Sequence, residues 1–192
     1  MKPDKLTLKI PLLVVISVLM LVYPFLVYRG LSRWSPSLLI GVLFIVVALR
    51  FIFSGGFRQK SQIFGFVFIA VYSLTVYLTN SELLLRFYPA AISIFVSYLF
   101  FSSLMQPESF LEKWVKKTGK VITPNIKHYL FYLSGIWGVL MLINSAVAAW
   151  TACCSNIKTW AWYNGFFVYF LFAAVFLMEW LYRQYYIRKY GD

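Results

Sequence analysis

Acidic residues are scarce in this chain: Asp4, Glu82, Glu108, Glu112, Glu179 and Asp192 make up the whole set of six. Spread so thinly, they do not supply the paired carboxylates of general acid–base chemistry. Histidine is scarcer still, with His128 alone, and no Asp follows it at the HxxxxD spacing of an acyltransferase. The two cysteines, Cys153 and Cys154, are adjacent, which suits neither a zinc site nor a CxxC redox pair. A strained vicinal disulfide and two packed thiols remain as alternatives. No metal-ligand cluster and no glycine-rich phosphate loop occurs, so the sequence offers no catalytic residue, metal or cofactor site. His128, at the edge of an apolar run, reads as an interfacial residue.

Charge of either sign is sparse: charged residues make up 12% of the chain and hydrophobic ones 61%, whereas soluble domains carry about a quarter charged residues. This composition predicts a polytopic membrane protein. The net charge of +12 would suggest nucleic acid in a soluble protein. Here the lysines and arginines sit between apolar runs, where they set orientation and meet membrane lipids, so no nucleic-acid partner is expected.

Six apolar runs are long enough to cross a bilayer as helices, at about 10–27, 36–53, 63–78, 83–105, 129–150 and 160–183. The expected fold is all-α, six transmembrane helices in one integral membrane domain over 1–192. The first run follows Lys2, Lys5 and Lys9 as a signal peptide would, but it lacks a small-residue cleavage site and continues into Tyr28-Arg29-Gly30, so an uncleaved span is expected. With alternating spans, one side of the membrane holds Lys2, Lys5, Lys9, Arg50, Arg58, Lys60, Lys113, Lys116, Lys117, Lys120, Lys127, Arg183, Arg188 and Lys189. The other holds Arg29, Arg33, Arg86 and Lys158. Fourteen against four predicts that both termini are cytoplasmic.

The loop between the fourth and fifth spans has a pattern of its own. Ser109 followed by Glu112 forms a capping box, Phe110, Leu111, Trp114 and Val115 share one helical face, Lys113, Lys116 and Lys117 share another, and Gly119 stops the run. A short amphipathic helix in the cytoplasmic interface is expected. It serves either as an orientation anchor or as a docking surface for a soluble partner or anionic lipid.

Polar residues within spans are costly and mark contacts. Glu179 has two candidate partners for an intramembrane ion pair: Arg50, at similar depth in the second span, and Arg183, one turn further along the same helix. Toward the outer side, Arg86, Asn144 and Asn164 lie at depths that agree to about one turn, and Tyr23-Pro24 and Tyr88-Pro89 place proline bends nearby. Tyr23, Arg86, Tyr88, Asn144 and Asn164 are the candidate ligand-binding residues. Two readings stay open. The outcome expected is that of a pocket, in which Arg86→Gln and Asn164→Ala leave stability nearly unchanged while reducing the product lipid or pigment; helix-packing glue predicts that they lower stability.

Tyr23-Pro24, Tyr88-Pro89, Pro107 with Ser109 and Glu112, Asn144, Trp160-Ala161-Trp162-Tyr163-Asn164-Gly165, Glu179-Trp180 and Arg183 carry a resemblance over nearly the whole chain. In them it resembles small bacterial membrane proteins encoded in gene clusters for aryl-polyene or flexirubin-type pigment lipids. The second half is also similar to the septation protein A family. The first resemblance implies an inner-membrane accessory protein, beside fatty-acid-synthase-like enzymes, that binds a lipid-linked polyene or acyl intermediate or scaffolds those enzymes. The family carries no established activity. Transport of such a lipid between leaflets is the alternative, followed by a membrane-embedded transferase or a cell-envelope role.

Overall fold

The computed structural model describes residues 18–19, 21–54, 60–119 and 121–190, with only the backbone of Lys60, Ser61, Ile187 and Tyr190. The start of the first expected span, 10–17, lies outside the described residues, as do Lys2, Lys5, Lys9, Arg58 and Lys120 of the charge count.

All regular structure among the described residues is helical. Helix α1 includes residues 21–30. It is followed by α2 (Pro36–Phe53), α3 (Lys60–Thr79), α4 (Glu82–Leu104), the short α5 (Phe110–Lys117), α6 (Pro124–Cys154), α7 (Ile157–Trp162), a π-helical turn (Tyr163–Phe167) and α8 (Val168–Tyr190). Five of the described helices are long and apolar enough to cross a membrane: Pro36–Phe53, Gln62–Thr79, Glu82–Leu104, Pro124–Cys154 and Ile157–Tyr186. Large apolar side chains are left bare along them, among them Val71, Leu78, Phe170 and Met178. In water such a surface would be an aggregation hazard, whereas in lipid it is the ordinary outer face. The protein is a membrane-embedded, all-helical protein.

Local chemistry explains the boundaries. Ser35 caps α2, with Pro36 in the first turn where a missing amide hydrogen costs nothing. Asn80 takes a left-handed conformation, φ 47°, and turns the chain between α3 and α4. Its Oδ1 accepts from the backbone amide of Ser37 at 3.1 Å, tying the start of α2 to the end of α3. Further along the same pair, Phe51 and Phe66 stack at 4.4 Å. Helix α6 is longer than the apolar run within it. Its polar first turn, Pro124 to His128, is invisible to hydropathy but well formed for a helix start, with Thr123 Oγ1 accepting from the amide of Ile126 at 3.4 Å. The final helical stretch starts at Ile157 rather than 160 because Asn156 caps it, its Oδ1 accepting from the amide of Thr159 at 2.8 Å.

The chain divides into two compact units. The first comprises residues up to 88 with 151–166, and the second 89–150 with 167 onward.

Helix α5 belongs to the second unit and is fastened at its N-terminus. Helix starts leave amides without intrahelical acceptors, and here three serines take three in a row. Ser103 Oγ accepts from the amide of Phe110 at 2.9 Å, Ser134 Oγ from that of Leu111 at 3.3 Å, and Ser109 Oγ from that of Glu112 at 3.4 Å. Gly119, at φ 76°, ends the helix in a conformation that glycine adopts without strain. Phe110 and Trp114 are exposed, Leu111 and Val115 are half-buried, and Lys116 and Lys117 face out. The Glu112 side chain meets two lysines. Its carboxylate is buried, 3.4 Å from Lys116 Nζ and 4.0 Å from Lys127 Nζ.

Lys116 also donates to exposed Glu108. The hydrogen bond from Lys116 is the main reason that the Glu108 carboxyl lies below its ordinary range, and the bond to Glu108 likewise raises the Lys116 ammonium. The Glu108 contribution is present above the ordinary carboxylate range and lost as pH falls through the lowered value. The Lys116 contribution is present below the ordinary lysine range and lost as pH rises through the raised one. A nitroxide on Thr118 is therefore expected to show constant mobility through neutral pH and greater mobility at both acidic and strongly alkaline pH. Mobility that does not change in acid would mean that the pair does not order α5.

Candidate functional site

The turn of α4 that ends the first stretch of the first unit owes its chemistry to the proline that follows it, Pro89. Proline has no amide hydrogen, so the carbonyl of Leu85, four residues earlier, loses its intrahelical donor, and the ring pushes neighbouring carbonyls outward. Three successive carbonyls of this turn accept from aromatic side chains. Tyr72 Oη donates to Leu84 O at 2.6 Å, Tyr23 Oη to Leu85 O at 3.2 Å, and Trp160 Nε1 to Arg86 O at 2.9 Å. The Tyr88 ring lies 5.3 Å from that of Tyr23 and 6.0 Å from that of Tyr72. Tyr23 and Tyr88 are buried, and Trp160 is fully so.

The side chain of Arg86 points to another helix end. Its Nη2 donates to Thr151 O at 3.2 Å and Ser155 O at 2.7 Å, carbonyls at the C-terminal turn of α6, where the helix dipole favours a cation. Glu82, one turn earlier, is 3.9 Å away and largely exposed. Buried Asn164, in the π turn, donates from Nδ2 to Trp160 O at 2.9 Å and Thr151 Oγ1 at 3.3 Å. Next to it, Gly165 has no room for a side chain, since a Cβ there would lie 2.6 Å from Phe25 Cε2.

Tyr23, Arg86, Tyr88 and Asn164 are thus brought together in one unit. Asn144 lies in the second unit, where its Nδ2 donates to Ser93 Oγ at 2.8 Å. The donors of Tyr23 and Asn164 and the Nη2 of Arg86 are spent on protein acceptors, and none of these five residues lines the grooves described next. Trp160 and Tyr72 are the members of this cluster that sequence reasoning missed. Trp160 sits in an aromatic run beside a span end, where tryptophan is ordinary, and nothing in the sequence pairs Tyr72 with a carbonyl one span away.

If Tyr23 serves the orphaned carbonyl, Tyr23→Phe is expected to cost about 1 kcal/mol in the native chain. It should cost close to nothing once Pro89→Ala restores an intrahelical donor. A double-mutant cycle on unfolding in detergent measures the difference. Equal cost in both backgrounds would assign Tyr23 a different role.

The second unit holds the concave surfaces. One groove of about 530 Å³ runs between α6 and α8 and is lined by His128, Tyr129, Tyr132, Ile136, Trp137, Glu179 and Tyr182, among others. A second, of about 290 Å³, lies beside α5 and includes Phe110, Trp114, Leu133, Trp137, Glu179 and Arg183. Leu133, Trp137 and Glu179 line both. The Glu179 side chain is only 10% exposed. Its Oε1 accepts from Tyr129 Oη at 2.8 Å and lies 3.5 Å from Arg183 Nε. Of the two candidate cations, Arg183 is therefore in ion-pair range of Glu179, while Arg50 belongs to the first unit. Tyr129 had no sequence signal, because its approach to Glu179 depends on the register of α6 against α8. Among the described residues no group of three or more His, Cys, Asp or Glu is placed to hold a metal ion.

These features define a polytopic helical membrane protein with a largely buried carboxylate between two aromatic grooves. No protein-family model matches the chain, and no curated protein or solved structure is significantly similar to it.

Proposed function

We propose that the protein is a non-catalytic accessory protein of the bacterial inner membrane, with six spans and both termini in the cytoplasm. In this reading it binds a lipid-linked acyl or aryl-polyene intermediate, or holds such a lipid for soluble biosynthetic enzymes. The single observation that carries the binding role is the α6–α8 groove, aromatic and of about 530 Å³, with one largely buried carboxylate in its wall. A groove of this size with few polar groups suits an apolar chain, and a fixed polar group sets its orientation. This reading puts the ligand at Glu179 rather than at the Arg86 cluster, where Tyr23 Oη, Asn164 Nδ2 and Arg86 Nη2 donate to protein acceptors.

Native mass spectrometry of the protein extracted from its own membranes is expected to show a bound lipid or pigment-like species, lost when Ile136→Trp fills the groove. A bare protein peak before and after the substitution would reject the binding role. For topology, reporter fusions after Tyr28, Asn80 and Asn156 are expected on the periplasmic side and fusions after Lys60, Lys120 and Asp192 in the cytoplasm. A cytoplasmic signal at Asn156 would reject six spans.

A further inference from the structure

We infer that the α6–α8 groove takes an amphiphile with a cationic head, an ammonium or quaternary ammonium group, its apolar tail lying along the groove. The inference rests on the groove being a ligand site, as proposed above, and adds the charge of the head. Glu179 lines both grooves, whereas Arg183 lines only the second. An occupant of the first groove therefore has the carboxylate but not the guanidinium in its wall, with Arg183 Nε 3.5 Å from Glu179 Oε1.

The rest of the wall suits the same charge. Tyr129 stacks with Tyr186 at 4.9 Å and with Tyr182 at 6.2 Å, and His128 meets Tyr132 edge-on at 4.7 Å. Two of these hydroxyls are already committed, Tyr129 Oη to Glu179 and Tyr186 Oη to Asn125 O at 3.2 Å. What those two tyrosines offer an occupant is ring surface, not hydrogen-bond donors. Electron-rich ring surface beside a carboxylate attracts a poorly hydrated cation. An anionic head would be repelled by the Glu179 carboxylate in the same wall.

The test compares three amphiphiles with the same tail, hexadecyltrimethylammonium, hexadecanol and hexadecanoate, bound to the full chain in dodecyl maltoside and measured by native mass spectrometry. The trimethylammonium compound is expected to bind at least about tenfold more tightly than the alcohol, with the carboxylate weakest. Glu179→Gln keeps an acceptor for Tyr129 and is expected to erase the preference while alcohol binding persists. Tyr182→Leu, at an exposed position, removes a ring without touching the carboxylate and is expected to weaken the ammonium compound severalfold. Equal binding of the three compounds, or a preference that survives both substitutions, overturns the cationic head and leaves the groove standing. Failure of all three to bind overturns the groove as a ligand site and this inference with it.

Discussion

Arg86→Gln is expected to lower the unfolding free energy of the protein in detergent by about 2–3 kcal/mol. The guanidinium closes the C-terminal turn of α6 through Thr151 O and Ser155 O, and its side chain is 14% exposed. Glutamine is too short to span both carbonyls and brings no charge to the helix terminus. Lysine keeps the charge but not the planar fork, so Arg86→Lys is expected to recover only part of the loss. Equilibrium unfolding by steric trapping, or thermal melting in one detergent, reads the effect. Unchanged stability would revive the ligand-facing reading of Arg86, in which the cation is solvated by a cavity or headgroup.

Trp160→Ala is expected to have the largest effect, about 3–5 kcal/mol. Its ring is fully buried and its indole holds the carbonyl of Arg86, so the substitution opens a cavity and leaves a polar group of the proline turn without that donor. Trp162, two residues on, is 53% exposed and serves as the control. Trp162→Ala is expected to cost under about 1 kcal/mol. Comparable losses at the two positions would mean that the burial of Trp160 and its bond to the Arg86 carbonyl do not carry the effect.

The bounds of α2 were readable because an apolar run of spanning length begins at Pro36, a good first-turn residue, and ends at Phe53. The capped helix at Phe110–Lys117 was readable for the same reason, since Ser109, the alternating faces and Gly119 are local signals. Its attachment was not, because Ser103 and Ser134 are far from it in the chain and look like any small residues of a span. Tyr23, Arg86, Tyr88 and Asn164 could be selected as unusual for their depth, yet their partners could not. Arg86 meets backbone carbonyls, which every residue possesses and no sequence pattern marks.

By itself, then, the sequence determined that the protein is helical and membrane-embedded, because a lipid solvent imposes length and apolarity on each span separately, and both are local quantities. Tertiary structure alone decided that Tyr72, Tyr23 and Trp160 serve three consecutive carbonyls ahead of Pro89, and that Glu179, whose pairing with Arg183 one turn on was legible, also meets Tyr129. Those contacts depend on the rotation and register of one helix against another. In a chain with apolar residues on every side of its helices, no periodic stripe announces either.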